Sequence, residues 1–192
     1  TEALKKDPKI CEREILTIFE QNWVREGYGR KSYEEAMKKR GREYLARYLK
    51  SELHNPQNPP ITEELPFIFP VGSGLKLGGR IDRIDRIRDG IEIIDYKTTD
   101  LLEKELPSQK ELENNLQLSF YALAAANVHH PIFESVKNVK LSLYFFDKAA
   151  KVSTQRTKEQ LEQAVEEILK EKQEIENSDF TCSGNFFCRD CE

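Results

Sequence analysis

Two aspartates and a lysine near the middle of the chain have the types and spacing that chemistry needs. Asp95 and Lys97 stand one residue apart in "IIDYKTT", and Asp82 lies upstream in "GRID", beyond a short "RDG" turn. Side chains alternate along a strand, so Asp95 and Lys97 share one face while Ile94 and Tyr96 point to the other. Pairing of the two segments across the turn brings Asp82 to Asp95, and two carboxylates then meet an ammonium. Carboxylates are hard oxygen donors for Mg²⁺ or Mn²⁺, ions that keep several waters and take phosphate oxygens in their remaining positions. Such a metal polarises a phosphorus centre and acidifies a bound water, while a nearby lysine holds that water or stabilises charge growing on the phosphate. The chemistry is phosphodiester hydrolysis. A structural role is the alternative: "RIDRIDRIRD" also suits the solvated face of an edge strand, with Arg to Asp pairs contributing roughly 0–1 kcal/mol each. Asp85, Arg88 and Asp89, nearer the turn, fit that role.

The elements that would position these groups follow from periodicity. Apolar residues Ile10, Ile15, Ile18, Phe19 and Trp23 predict a first helix over about 7–26, closed at Gly27. Tyr33, Met37, Tyr44, Leu45, Tyr48 and Leu49 predict a second over about 32–53, ended by "HNPQNPP". "LPFIFPV", "LKLGGRIDRI" and "GIEIIDYKT" are rich in β-branched and aromatic residues and are separated by Gly-containing turns, which predicts an antiparallel meander. The pattern turns helical over about 108–128. "VKLSLYFFD" and "KVSTQRT" then read as a strand pair, and residues 158–177 as a charged helix with Leu161, Val165, Ile168, Leu169 and Ile175 on its apolar stripe. The order ααβββαββα, with no internal repeat, predicts one mixed α/β domain over 1–192.

Composition narrows the functional classes. The chain of 192 residues is long enough for one domain with a real core. It is 38% hydrophobic and 33% charged, with a mean hydropathy of -0.68, which fits a folded protein with long solvated helical faces. The longest apolar run lies near "YALAAANV", short of the roughly 20 residues that span a bilayer, and no leader-like segment opens the chain. The expectation is a cytoplasmic protein with no membrane partner. A net charge of -4 gives no overall basic field, so a polyanion site must be local.

The stretch Gly79-Arg80-Ile81-Asp82-Arg83-Ile84-Asp85, followed by Ile93-Ile94-Asp95-Tyr96-Lys97-Thr98-Thr99, resembles the RecB-like branch of the PD-(D/E)xK nuclease superfamily. Its pattern is a G-x-x-D strand, a turn and a D-x-K strand. The resemblance implies a restriction-endonuclease-like α/β fold, a small mixed sheet flanked by helices. It implies Asp82 and Asp95 as metal ligands with the Tyr96 carbonyl beside them, Lys97 as the catalytic lysine, and Mg²⁺ or Mn²⁺ as cofactor. "NLQLSFY" adds the family's Q-x-x-x-Y on the next helix. Gln117 and Tyr121 are four residues apart on one helical face, so both reach one pocket, where they would touch the DNA strand or orient the lysine.

The segment "IFEQNWVREGYGRKSYEEAMKKRGREYLARYL" is similar to helices of nuclease domains fused to superfamily 1 helicases of the UvrD/AddA kind. The implied context is a helicase-nuclease in DNA repair or recombination, acting as an exonuclease on single-stranded DNA fed by the motor. Lys38, Lys39, Arg42 and Arg47 are candidate phosphate contacts, or simply a solvated face. A non-catalytic member of the fold that binds DNA or braces a helicase is the alternative. The family places a metal-binding histidine on an earlier helix; His54, His129 and His130 do not have that setting and are expected at the surface. Several relatives hold a [4Fe-4S] cluster with one early and three late cysteines. Cys182, Cys188 and Cys191 are the candidates here, with Zn²⁺ or free thiols as alternatives, and Cys11 is expected to be a small buried hydrophobe. Both features imply a fragment that lacks an upstream helix and a short C-terminal tail.

Overall fold

A computed structural model describes residues 11–51, 54, 60–72, 74–98 and 105–180. The chain divides after Arg156 into two compact units. In the first, helices α1 (Glu12–Gln21) and α2 (Lys31–Leu49) precede strands β1 (Thr62–Gly72), β2 (Leu75–Ile87) and β3 (Gly90–Lys97). Helices α3 (Gln109–Glu113) and α4 (Leu116–Asn127) then lead to β4 (Asn138–Phe145) and β5 (Ala150–Thr154). The strands lie in one sheet in chain order. The first three form the expected antiparallel meander, β4 runs parallel to β3, and β5 returns antiparallel. A parallel neighbour needs a crossover, and the segment bearing α3 and α4 supplies it. The fold is therefore α/β, a mixed five-stranded sheet with helices beside it.

Strand alternation divides the residues of β3 between two layers. Ile94 packs with Tyr48 of α2 and with Tyr144, and Tyr96 and Phe146 border that cluster. The other face meets α4, whose Leu118 is fully buried and whose Tyr121 hydroxyl bonds to Asp95. Ile81, Ile84, Ile91, Ile93, Ile94 and Leu141 are wholly removed from water, each contributing roughly 1.5–3 kcal/mol. Two glycines set close approaches. A Cβ on Gly90 would stand 1.9 Å from the Asn138 carbonyl oxygen where β3 and β4 begin to pair, and one on Gly41 would stand 2.7 Å from the Phe19 ring where α1 crosses α2.

The single helix expected over 108–128 is two helices, because each segment carries its own start signal. Ser108 and Glu111 make a reciprocal capping box on α3, while the Asn115 side chain accepts the Leu118 N–H at 3.0 Å and opens α4. Arg156 closes the junction, donating to the Leu112 and Asn115 carbonyls at 2.8 and 3.0 Å and to Ser119 Oγ at 2.9 Å. The basic residues of α2 are mostly engaged within the protein. Lys38 and Arg42 both bind Glu20 and tie α1 to α2, and Arg47 donates to the Asp147 carbonyl at 2.7 Å.

The second unit is described through α5 (Lys158–Asn177). Thr157 accepts the Gln160 N–H at 3.3 Å and Gln160 Oε1 accepts the Thr157 N–H at 2.9 Å, a second capping box. No helix among the described residues is long and apolar enough to cross a membrane.

Candidate active site

The site forms where β2 and β3 part. Their ladder runs from Ile87 opposite Gly90 to Arg83 opposite Ile94, and one further step by count sets Asp82 across from Asp95. There the Asp82 carboxylate replaces a backbone acceptor: its Oδ2 accepts the Tyr96 N–H at 2.8 Å. N–H and C=O of one strand residue point the same way, so the Tyr96 carbonyl also turns toward β2. Lys97 faces the other neighbour, its carbonyl accepting the Phe146 N–H at 3.1 Å.

Asp95 is 4% exposed and its two oxygens have different partners. Oδ1 accepts from the Tyr121 hydroxyl at 2.8 Å and from Gln117 Nε2 at 3.0 Å. Oδ2 receives no hydrogen bond of good geometry and is met by the Lys97 ammonium at 2.7 Å. Lys97 Nζ also donates to Gln117 Oε1 at 2.6 Å, and Gln117 Nε2 lies 3.0 Å from the Tyr121 hydroxyl. Gln117 thus joins the lysine, the aspartate and the tyrosine from one face of α4, as the four-residue spacing requires. Asp82, Asp95, Lys97, Gln117 and Tyr121 come together with the Tyr96 backbone, while the Tyr96 side chain lies on the opposite face beside Tyr48.

Burial pushes the Asp82 carboxyl above the ordinary aspartate range, and the charges of Asp95 and Glu64 add to this; the Tyr96 N–H and Lys97 oppose it. The Tyr121 hydroxyl is pushed up by burial and then by Asp95, so it remains a donor at neutral pH. A crowded pair of carboxylates, one raised and one with an oxygen short of hydrogen bonds, is a place that a hard cation would relieve. Among the described residues no group of three or more His, Cys, Asp or Glu converges on a metal position. Two carboxylates and a carbonyl fit Mg²⁺ or Mn²⁺, which fill the rest of their shell with water and substrate oxygen.

On the opposite face the structure corrects the edge-strand expectation. β2 is an inner strand, and Asp85 is paired along it with Arg83, not across to a solvated partner. Arg83 is 3% exposed and Asp85 9%, joined by two bonds of 2.6 and 2.7 Å, with Arg83 Nη1 donating to the Tyr48 hydroxyl at 2.7 Å. Burial opposes the guanidinium charge, but Asp85 more than offsets it and the net shift is upward. Glu92, which sequence reasoning missed, is also buried and binds Ser142, Lys140 and Lys151. Its position opposite Asp85 in the register was the available signal.

Cys11 is exposed rather than buried, because it stands one residue before α1, where its N–H donates to Glu14 at 3.0 Å. Cys182, Cys188 and Cys191 lie outside the described residues. His129 is exposed while His130 and His54 are half-buried; His54 neighbours the Tyr48 ring, and burial with the Arg83 charge pushes its pKa down.

A family model of the PD-(D/E)XK nuclease superfamily matches residues 2–192. A comparison with curated proteins found no match. Among solved structures, one described as "Crystal structure of SSO0001" is 16% identical, with a TM-score of 0.40, over 94% of this chain and 93% of that chain.

Proposed function

We propose that this chain, which belongs to the PD-(D/E)XK nuclease superfamily, is a metal-dependent deoxyribonuclease whose site is the Asp82, Asp95, Lys97 cluster. The observation that carries the proposal is the meeting of Asp82 and Asp95 at the parting of β2 and β3, with Lys97 2.7 Å from Asp95. Asp82, Asp95 and the Tyr96 carbonyl would hold Mg²⁺ or Mn²⁺, which supplies Lewis acidity and a water of lowered pKa. Lys97 is positioned by Gln117 to hold a water or to stabilise charge on the phosphate. Tyr121 and Gln117 fix the Asp95 carboxylate through Oδ1, so that Oδ2 faces Lys97.

The finer assignment is an exonuclease on single-stranded DNA, working in the cytoplasm with a superfamily 1 helicase motor in repair or recombination. It is supported by the similarity of the segment that forms α1 and α2 to helicase-fused nuclease domains. A [4Fe-4S] cluster in the complete protein, with Cys182, Cys188 and Cys191 among its four ligands, belongs to the same proposal. The test is digestion of end-labelled single-stranded DNA with Mg²⁺ or Mn²⁺, with Asp95→Ala run beside the unsubstituted chain. Metal-dependent cleavage abolished by the substitution is expected. Cleavage that survives it would overturn the site, and DNA binding without cleavage under either metal would favour the non-catalytic role.

A further inference from the structure

Arg80 is a cation beside the site to which neither the superfamily pattern nor the cluster around Asp95 gives a task. It lies two residues before Asp82 on β2, so the two side chains leave the strand on the same side, roughly 7 Å apart along it. β2 continues past the end of its ladder with β3, so Arg80 borders the opening where the strands part. Counting one step on from Arg83 opposite Ile94 sets Asp82 across from Asp95, and Arg80 lies beyond it, opposite Pro66 of β1. Each acid therefore has a cation two residues away on its own strand, Arg80 for Asp82 and Lys97 for Asp95. The cations differ in availability. Lys97 is held by Asp95 and Gln117, whereas the Arg80 side chain is 63% exposed and meets Glu64 at 3.4 Å. A long, exposed pair of that kind contributes little and gives way to a stronger anion. Glu64 stands diagonally across from Arg80 on β1, at a backbone φ of 54°, where the ladder passes from Glu63 opposite Arg83 to Leu65 opposite Ile81.

We propose that Arg80 binds the backbone phosphate adjacent to the one being cleaved, and that Glu64 competes with that phosphate for the guanidinium. The proposal rests on the nuclease reading of the same site. One strand step of two residues separates the acids from Arg80, comparable with the separation of successive phosphates on a nucleic-acid strand. A guanidinium presents a planar fork that matches two phosphate oxygens. Glu64 then has two effects. It keeps Arg80 aimed along the opening in the free protein, and it must be displaced when the strand enters.

The two residues give opposite signs in one experiment. Binding of a fluorescent single-stranded oligonucleotide is measured in EDTA over a series of salt concentrations, and cleavage kinetics are measured in Mg²⁺ and Mn²⁺. Arg80→Ala should weaken binding roughly tenfold and make the slope of log K against log salt shallower by about 0.7, one phosphate of a single strand. KM should rise while kcat is retained. Arg80→Lys keeps the charge and should restore the slope without the full affinity. Glu64→Gln should tighten binding. Both side chains are about two-thirds exposed, so circular dichroism is expected to show unchanged folding. An unchanged slope and KM in Arg80→Ala, with the unsubstituted chain cleaving normally, overturns the assignment and leaves the nuclease function standing. Weaker binding in Glu64→Gln also overturns it. An unsubstituted chain that neither binds nor cleaves would overturn the nuclease function and this role together.

Discussion

Replacing Asp85 by alanine would leave Arg83 buried with no carboxylate. Arg83 is 3% exposed and its guanidinium donates two bonds of 2.6 and 2.7 Å to Asp85; the Tyr48 hydroxyl at 2.7 Å cannot neutralise it. Removing one partner of a buried pair costs about 3–5 kcal/mol, against roughly 0–1 kcal/mol for the solvated pair that the sequence suggested. For a chain of this size each kcal/mol moves Tm by about 2–4 °C, so a fall of roughly 6–20 °C is expected. Urea and thermal unfolding of Asp85→Ala measure it. The double variant Arg83→Met with Asp85→Leu should return most of the loss, because an apolar pair of similar volume replaces a buried ion pair at little cost. Asp82 lies on the other face of β2, so the folded single variant should bind metal as the unsubstituted chain does. A loss below about 1 kcal/mol in Asp85→Ala, or simple additivity in the double variant, would show that Arg83 is solvated and refute the reasoning.

Two further substitutions test the sheet that carries the site. Burial pushes the Glu92 carboxyl up, but Lys151 and Ser142, with Lys140, more than offset it and the pKa lies below the ordinary value of 4.5. Its folded-state pKa being depressed, its stabilisation is present above the unfolded pKa and is lost as pH falls through the folded one. Glu92→Gln should therefore cost about 1–3 kcal/mol at neutral pH, toward the low end because both lysines reach water, and almost nothing in acid below both pKa values; urea midpoints at the two pH values decide it. Gly90→Ala would place a methyl 1.9 Å from a backbone oxygen of β4 and should cost about 1–3 kcal/mol or more, so an unchanged Tm would mean that β4 moves freely at its start.

Much of the site was legible because its rules are local. A period of two put Asp95 and Lys97 on one face, and a spacing of four put Gln117 and Tyr121 on one side of a helix; the structure joins all four through the Gln117 amide and the Asp95 carboxylate. The Gly-containing turns predicted the meander, and the apolar stripe of the charged segment 158–177 predicted α5 from end to end. The break at Asn114 was missed because leucine periodicity runs through it, while a cap and the distant Arg156 decide it. Arg83 and Asp85 looked like surface charges for a similar reason. An alternating charged strand has the same sequence whether its far face meets water or a helix, and only the packing of α2, which brings Tyr48 onto Arg83, makes that pair a buried one. Likewise the sequence places two carboxylates near each other, but only the parting of β2 and β3 turns Asp82 onto the Tyr96 amide. Periodicity is written residue by residue, whereas burial depends on which distant element covers a face, and that is decided by the whole chain at once.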